Sequence, residues 1–118
     1  MRYAATAANN SKYRSKLQIV ADILVVAENG AKKTRIMYQA NLSYDLLKRY
    51  LDETLEANLI SINKDEKSYI TTEKGKVFLK KYVEYCERCT RLQEQFEDAR
   101  NDEMVLEKMC SNLGDEKK

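Results

Sequence analysis

The chain of 118 residues contains no histidine. Ser-His-Asp and Cys-His catalytic groupings, and histidine-ligated metal sites, are therefore excluded within one chain. It also lacks any run of about 18 apolar residues, so no membrane-spanning helix is expected. The opening stretch MRYAATAANNSKYRSK has no apolar core of the kind a secretory signal needs, which makes the cytoplasm the expected location. Cysteine is scarce. Three of them, an odd number without dense spacing, argue against a secreted disulfide scaffold. No nucleophile-base pair, phosphate-cradling loop or metal cluster stands out, so an enzyme is disfavoured and no cofactor is expected.

What is present is a helix-rich, soluble pattern, 43% hydrophobic and 34% charged, sufficient for one compact domain with an appendage. The net charge of +2 hides an asymmetry. Residues 1–81 carry 15 Lys/Arg against 9 Asp/Glu, a balance of +6. Residues 82–118 carry 6 against 10, a balance of −4. A basic front on an acidic rear suits a polyanionic partner for the front alone, although on charge alone a merely solvated surface is the slightly better reading.

Residues 1–12 are small and polar and read as a flexible arm. From about Ser15 to Asn29, Leu17, Val20, Ile23, Leu24 and Ala27 recur at helical spacing, and Gly30 stops the helix. A short helix follows over Thr34 to Ala40, with Ile36 and Met37 inward and Lys32, Lys33 and Arg35 crowding its start. Leu42 plugs the corner, and Ser43 caps a third helix over Tyr44 to Ala57. Leu47, Tyr50, Leu51, Thr54 and Leu55 share one side of that helix, and Asp45, Lys48, Arg49, Asp52 and Glu56 the other. Its cations precede its acids, against the order that the helix dipole favours, so helix stability does not explain the charges. An anionic partner at its N-terminal half does. Asn58 suits a left-handed cap. LISIN and SYIT then alternate as a two-stranded hairpin around KDEK, a turn with no glycine.

Beyond Thr72 the pattern is helical almost to the end. Tyr82, Tyr85, Cys89, Leu92, Phe96, Ala99, Glu103, Leu106, Cys110 and Leu113 alternate in steps of three and four, a heptad seam broken by Glu103. So narrow a stripe on so long a helix calls for a partner helix.

This order, two helices, a corner, a third helix, a hairpin and a long helix, is that of a winged helix-turn-helix domain followed by a coiled-coil helix. The fold class is mainly α with a small β-hairpin. The expected division is a flexible arm over 1–12, the winged domain over 13–76, the coiled-coil helix over 77–113 and a tail over 114–118. In such a fold the helix after the corner enters the major groove of DNA and the hairpin grips neighbouring phosphates.

KTRIMYQANLSYDLLKRYLD, EANLI and YITTEKG also resemble the archaeal winged-helix DNA-binding proteins of the 10a chromatin-protein family, and are similar to related archaeal winged-helix regulators. The likeness is close over about residues 15–80 and holds only in kind along the long helix. Membership implies a homodimer through an antiparallel coiled coil, with a winged domain at each end. It also implies binding to double-stranded DNA with little base specificity, in the cytoplasm at the nucleoid.

The candidate DNA contacts are Lys32, Lys33, Arg35, Ser43, Tyr44, Lys48, Arg49, Lys64 and Lys67. Arg49 is expected at a guanine edge and Lys48 at a phosphate. Ser43 caps its helix first, Tyr44 divides evenly between backbone contact and packing, and paired lysines in a turn are common on any surface. Arg2, Lys12, Arg14 and Lys16 suit a basic arm, with an uninvolved tail as the plainer reading. The candidate dimer interface is Tyr82, Tyr85, Cys89, Leu92, Phe96, Ala99, Leu106, Cys110 and Leu113. Within CERC, Cys86 and Cys89 can face one ion, yet four ligands would need a second chain. Both read more simply as small seam residues with dispensable thiols, and no metal is expected. A different class of function, a protein-interaction module dimerised by its coiled coil, remains open. Salt-dependent retention on DNA separates the two.

Overall fold

A computed structural model of the protein describes residues 14–111. The expected arm with Arg2 and Lys12, the seam residue Leu113 and the tail lie outside those residues. The elements run α1 (Lys16–Val26), β1 (Ala31–Lys32), α2 (Lys33–Gln39), α3 (Tyr44–Glu56), β2 (Ile60–Asn63), β3 (Ser68–Thr71) and α4 (Glu73–Met109).

The Ser15 hydroxyl starts α1 by accepting from the Gln18 amide at 3.1 Å. The helix stops where Gly30 takes φ 93°, open to glycine and strained for other residues. Every residue from Gln18 to Leu24 is buried, because α1 packs against α2, α3 and β3 and has no wholly free face. One expectation fails here, and one burial was not foreseen. Leu17, assigned to the apolar face, is 46% exposed. Asp22, which no apolar pattern would select, is buried because Arg14 lies against it at 2.8 Å.

The hairpin of β2 and β3 gains a third strand, in the order β1-β3-β2, all antiparallel. Ile60 pairs with Thr71 and Ile62 with Tyr69, while Ala31 pairs with Tyr69 from the other side. A two-residue strand is too short to show alternation in sequence, which is why β1 went unseen. Thr71 ties the sheet to α1. Its hydroxyl donates to the Leu24 carbonyl at 2.7 Å, and its amide to the Ala27 carbonyl at 2.9 Å. Ile60, Tyr69 and Thr71 are buried, but Ile62 is 40% exposed, since β2 there leaves the body for the turn. That turn works without glycine. Asn63 Oδ1 accepts from the amides of Asp65 and Glu66 at 3.0 and 3.3 Å, and Lys67 takes φ 53°.

Asn58 adopts φ 63° after α3, as expected of the cap. The start of α4 is then fixed by Thr72, whose hydroxyl donates to the Asn58 carbonyl at 2.7 Å and accepts from the Gly75 amide at 3.0 Å. Gly75 is there for space. A Cβ on it would collide with the Leu59 carbonyl oxygen and stand 2.6 Å from Thr71 Cγ2.

Residues up to Glu84 form one compact unit and those from Tyr85 another, with α4 running through the boundary. The expected border at residue 76 therefore falls inside α4. Leu79 and Tyr82 are buried within the first unit, and Tyr82 stacks on Phe78 with ring centroids 6.2 Å apart. Tyr82, placed in the seam by its spacing, is already covered by its own protomer. Among the described residues no helix is long and apolar enough to cross a membrane.

Candidate nucleic-acid interface

The helix-turn-helix corner is held from both ends. Asn41 takes φ 56°, Leu42 is buried, and the Ser43 hydroxyl accepts from the Leu46 amide at 3.2 Å. From outside, the Arg14 guanidinium donates to the carbonyls of Ala40 at 2.7 Å and Asn41 at 2.6 Å. Those carbonyls close α2, where a helix has spare acceptors and a negative dipole end. Asp22 balances the guanidinium charge. Arg14 is thus neither a groove-seeking arm residue nor a loose tail. Sequence reading missed its role because its partners lie 26 and 27 residues away.

On α3 the buried side is Leu47, Tyr50, Leu51 and Thr54. The Thr54 hydroxyl donates to the carbonyls of Tyr50 and Leu51, so its polar group needs no water. Asp45, Lys48, Arg49, Asp52 and Glu56 are all exposed. The geometry divides them further. Neighbours on a helix point about 100° apart, so Lys48 and Arg49 occupy opposite flanks, and Asp45, Asp52 and Glu56 form the ridge between them.

The Lys48 flank continues onto α2. Tyr44 sits one turn before Lys48, and Lys33 Nζ lies 5.9 Å from the Tyr44 ring centroid, at cation–π range. Tyr44 remains exposed beside this contact. Lys33, Tyr44 and Lys48 are therefore brought together. Arg49 diverges from them, its guanidinium 5.4 Å from the ring centroid of the buried Tyr50.

Lys32 ends β1 and serves as N-cap of α2 without any side-chain cap bond. Arg35 is exposed on the first turn of α2, and Lys64 and Lys67 are exposed in the hairpin turn beside Asp65 and Glu66. Tyr38, absent from the expected contacts, is the most exposed aromatic among the described residues, at 77%. On the other flank Lys16 Nζ is 3.1 Å from Glu53 Oε1, so one acid of the second half of α3 is neutralised from α1.

Along the second unit Tyr85, Leu92, Phe96 and Leu106 are all more than half exposed, with Cys89 and Cys110 exposed and Cys86 half-buried. The Tyr85 phenol has its pKa raised, first by a hydrogen bond to Cys89, then by the charge of Cys89, by desolvation and by the charge of Cys86. Among the described residues of one chain, no three or more His, Cys, Asp or Glu side chains are grouped to hold a metal ion.

The profile of the winged helix-turn-helix family matches residues 13–89. Two proteins of Methanocaldococcus jannaschii, the uncharacterized proteins MJ0290 and MJ0287, are each 36% identical, over 72 and 69 residues. Those matches take in 60% and 57% of this chain, but 33% of MJ0290 and 69% of MJ0287. Among solved structures, Sso10a-2, a DNA-binding protein from Sulfolobus solfataricus, superposes with a TM-score of 0.69 at 27% identity, over 75% of this chain and 95% of that one. ZitR of Lactococcus lactis, solved in complex with DNA, shares the fold at 16% identity and TM-score 0.52, over 98% of this chain and 90% of its own. The likeness to the archaeal 10a proteins drawn from the three quoted segments thus has a structural counterpart. The chain belongs to the winged helix-turn-helix family.

Proposed function

We propose that the protein binds double-stranded DNA as a homodimer, through α3 and the β2–β3 wing, in an architectural or regulatory role at the nucleoid. The observation that carries this reading is the grouping of Lys33, Tyr44 and Lys48 at the exposed start of α3. Cations beside a helix N-terminus work against the dipole, and a phosphate held between them removes the conflict. The DNA-binding activity named for Sso10a-2, similar over nearly its whole length, supports the same reading. The acidic ridge limits base reading to the two flanks, which fits binding dominated by backbone contacts. A binding protein of this kind needs no catalytic group.

The exposed seam supports the dimer. Leu92, Phe96 and Leu106 are each about three-fifths exposed. Full burial of a large apolar side chain contributes about 1.5–3 kcal/mol, so pairing two seams outweighs the cost of association at ordinary concentrations. Orientation follows from Glu103. A parallel pair sets it against the partner's Glu103. An antiparallel pair centred between Phe96 and Ala99 sets it against the partner's Leu92, within reach of the partner's Arg91. The small Ala99 also receives the large Phe96.

The ridge of Asp45, Asp52 and Glu56 favours a rival, a module that docks a basic protein partner. A mobility-shift titration with unrelated duplexes at two salt concentrations decides between them. With roughly three to five phosphates engaged per protomer, log affinity falls by about 0.9 per contact per decade of salt. Absence of binding, or indifference to salt, favours the rival.

A further inference from the structure

Cys86, Cys89 and Cys110 are not among the DNA contacts proposed above, and all three are free thiols. They are not scattered. Cys86 and Cys89 lie one turn apart on one side of α4. Glu107 and Cys110 repeat that spacing where α4 ends at Met109, and the Cys110 amide still bonds the carbonyls of Leu106 and Glu107 at 3.2 and 3.1 Å. Each pair alone is half a coordination sphere.

The antiparallel register argued from Phe96, Ala99 and Glu103 brings the halves together, and this step rests on that reading. With Phe96 opposite the partner's Ala99, heptad counting sets Tyr85 opposite the partner's Cys110 and Cys89 opposite the partner's Leu106. Cys110 then enters the hole beside the partner's Tyr85, Cys86 and Cys89. Flank faces flank in an antiparallel pair, and Cys86 and Glu107 follow equivalent seam positions, Tyr85 and Leu106. They therefore meet in the same groove.

We propose an intersubunit site for a thiophilic divalent cation, with zinc as the first candidate: Cys86 and Cys89 of one protomer with the partner's Glu107 and the partner's Cys110. Two-fold symmetry makes two such sites per dimer. Three thiolates and a carboxylate are a ligand set for tetrahedral zinc, and paired ligands one turn apart on facing helices are how helical bundles build metal centres. The thiol protons leave to solvent as the sulfurs bind, so affinity rises with pH. A parallel pair would place the two halves of the site at opposite ends of the helix. This mixed ligand set therefore exists only in the antiparallel register.

The test uses the reduced, chelator-stripped full chain titrated with cobalt(II) and then zinc. Thiolate-to-cobalt charge-transfer absorption saturating at one ion per chain, displaced by zinc, is expected. Cys110→Ser and the double variant Cys86→Ser, Cys89→Ser should each lose more than about 100-fold in zinc affinity, beyond the effect of outer-shell changes. Mixing the two variants should restore one tight site per mixed dimer, since each supplies what the other lacks. Failure of mixing to restore binding, or tight binding by Cys110→Ser alone, overturns the shared site. Light scattering of the metal-free chain reads the dimer separately. A dimeric mass without the cobalt signal removes the metal site and leaves the dimer, whereas a monomeric mass removes both.

Discussion

The Arg14 guanidinium stands 2.8 Å from the Asp22 carboxylate and 2.7 Å from the Ala40 carbonyl, joining the approach to α1 to the corner before α3. Arg14→Ala should lower stability by about 1.5–3 kcal/mol, the range for a hydrogen bond to a charged group, because its bonds to Asp22, Ala40 and Asn41 are lost together. Asp22→Asn should cost less, since it leaves the bonds to Ala40 and Asn41 in place. Urea unfolding of both variants checks the order, and equal losses would show that the carbonyl bonds contribute nothing.

At Gly75 two effects compete. Alanine favours a helix by up to about 1 kcal/mol, while overpacking costs about 1–3 kcal/mol. The obstructing group is the Leu59 carbonyl, which is backbone and bonded to the Thr72 amide, so it cannot step aside. Gly75→Ala should lower the midpoint of thermal unfolding. A raised midpoint would mean that α4 enters the domain at a different angle.

Lys48→Ala and Arg49→Ala should both leave the fold intact, because both side chains are exposed. Their binding phenotypes should differ with their flanks. Loss of Lys48 should weaken all duplexes alike and reduce the salt slope by about one contact. Loss of Arg49 should cost about 1–3 kcal/mol and flatten any preference among sequences. Competition titrations with several duplexes separate the two, and unfolding of Arg49→Ala would assign that residue to the core beside Tyr50.

Much of this architecture was legible in the chain. Ser43, Leu42 and Asn58 declare their roles through local chemistry, a cap, a plug and a left-handed end, and local chemistry survives without coordinates. What escaped was non-local. Arg14 acts on carbonyls brought near only by the folded corner, and it meets the buried Asp22 carboxylate there. β1 is shorter than any periodicity, and the period that put Tyr82 in the seam could not tell a partner helix from its own domain. Lys48 and Arg49 look like one feature as neighbours in sequence and become two on a helix.

Replacing Leu92 and Phe96 with aspartate should abolish the dimer while leaving the winged unit folded, since neither residue belongs to that unit. Light scattering should give the mass of one chain, with most of the ellipticity of the first unit retained. An unchanged dimeric mass would move the interface away from the seam.

Lys67 holds φ 53° in the hairpin turn, a conformation that costs a non-glycine residue about 1–2 kcal/mol and glycine almost nothing. A lysine at this position sacrifices thermal robustness for a charge at the tip. On the proposed reading of the wing, stability and grip on DNA are opposed at a single residue, and selection for heat resistance alone would drive it towards glycine. A Lys67→Gly chain should survive higher temperature and release DNA sooner, so the most stable form of this domain is not the one best suited to hold a duplex.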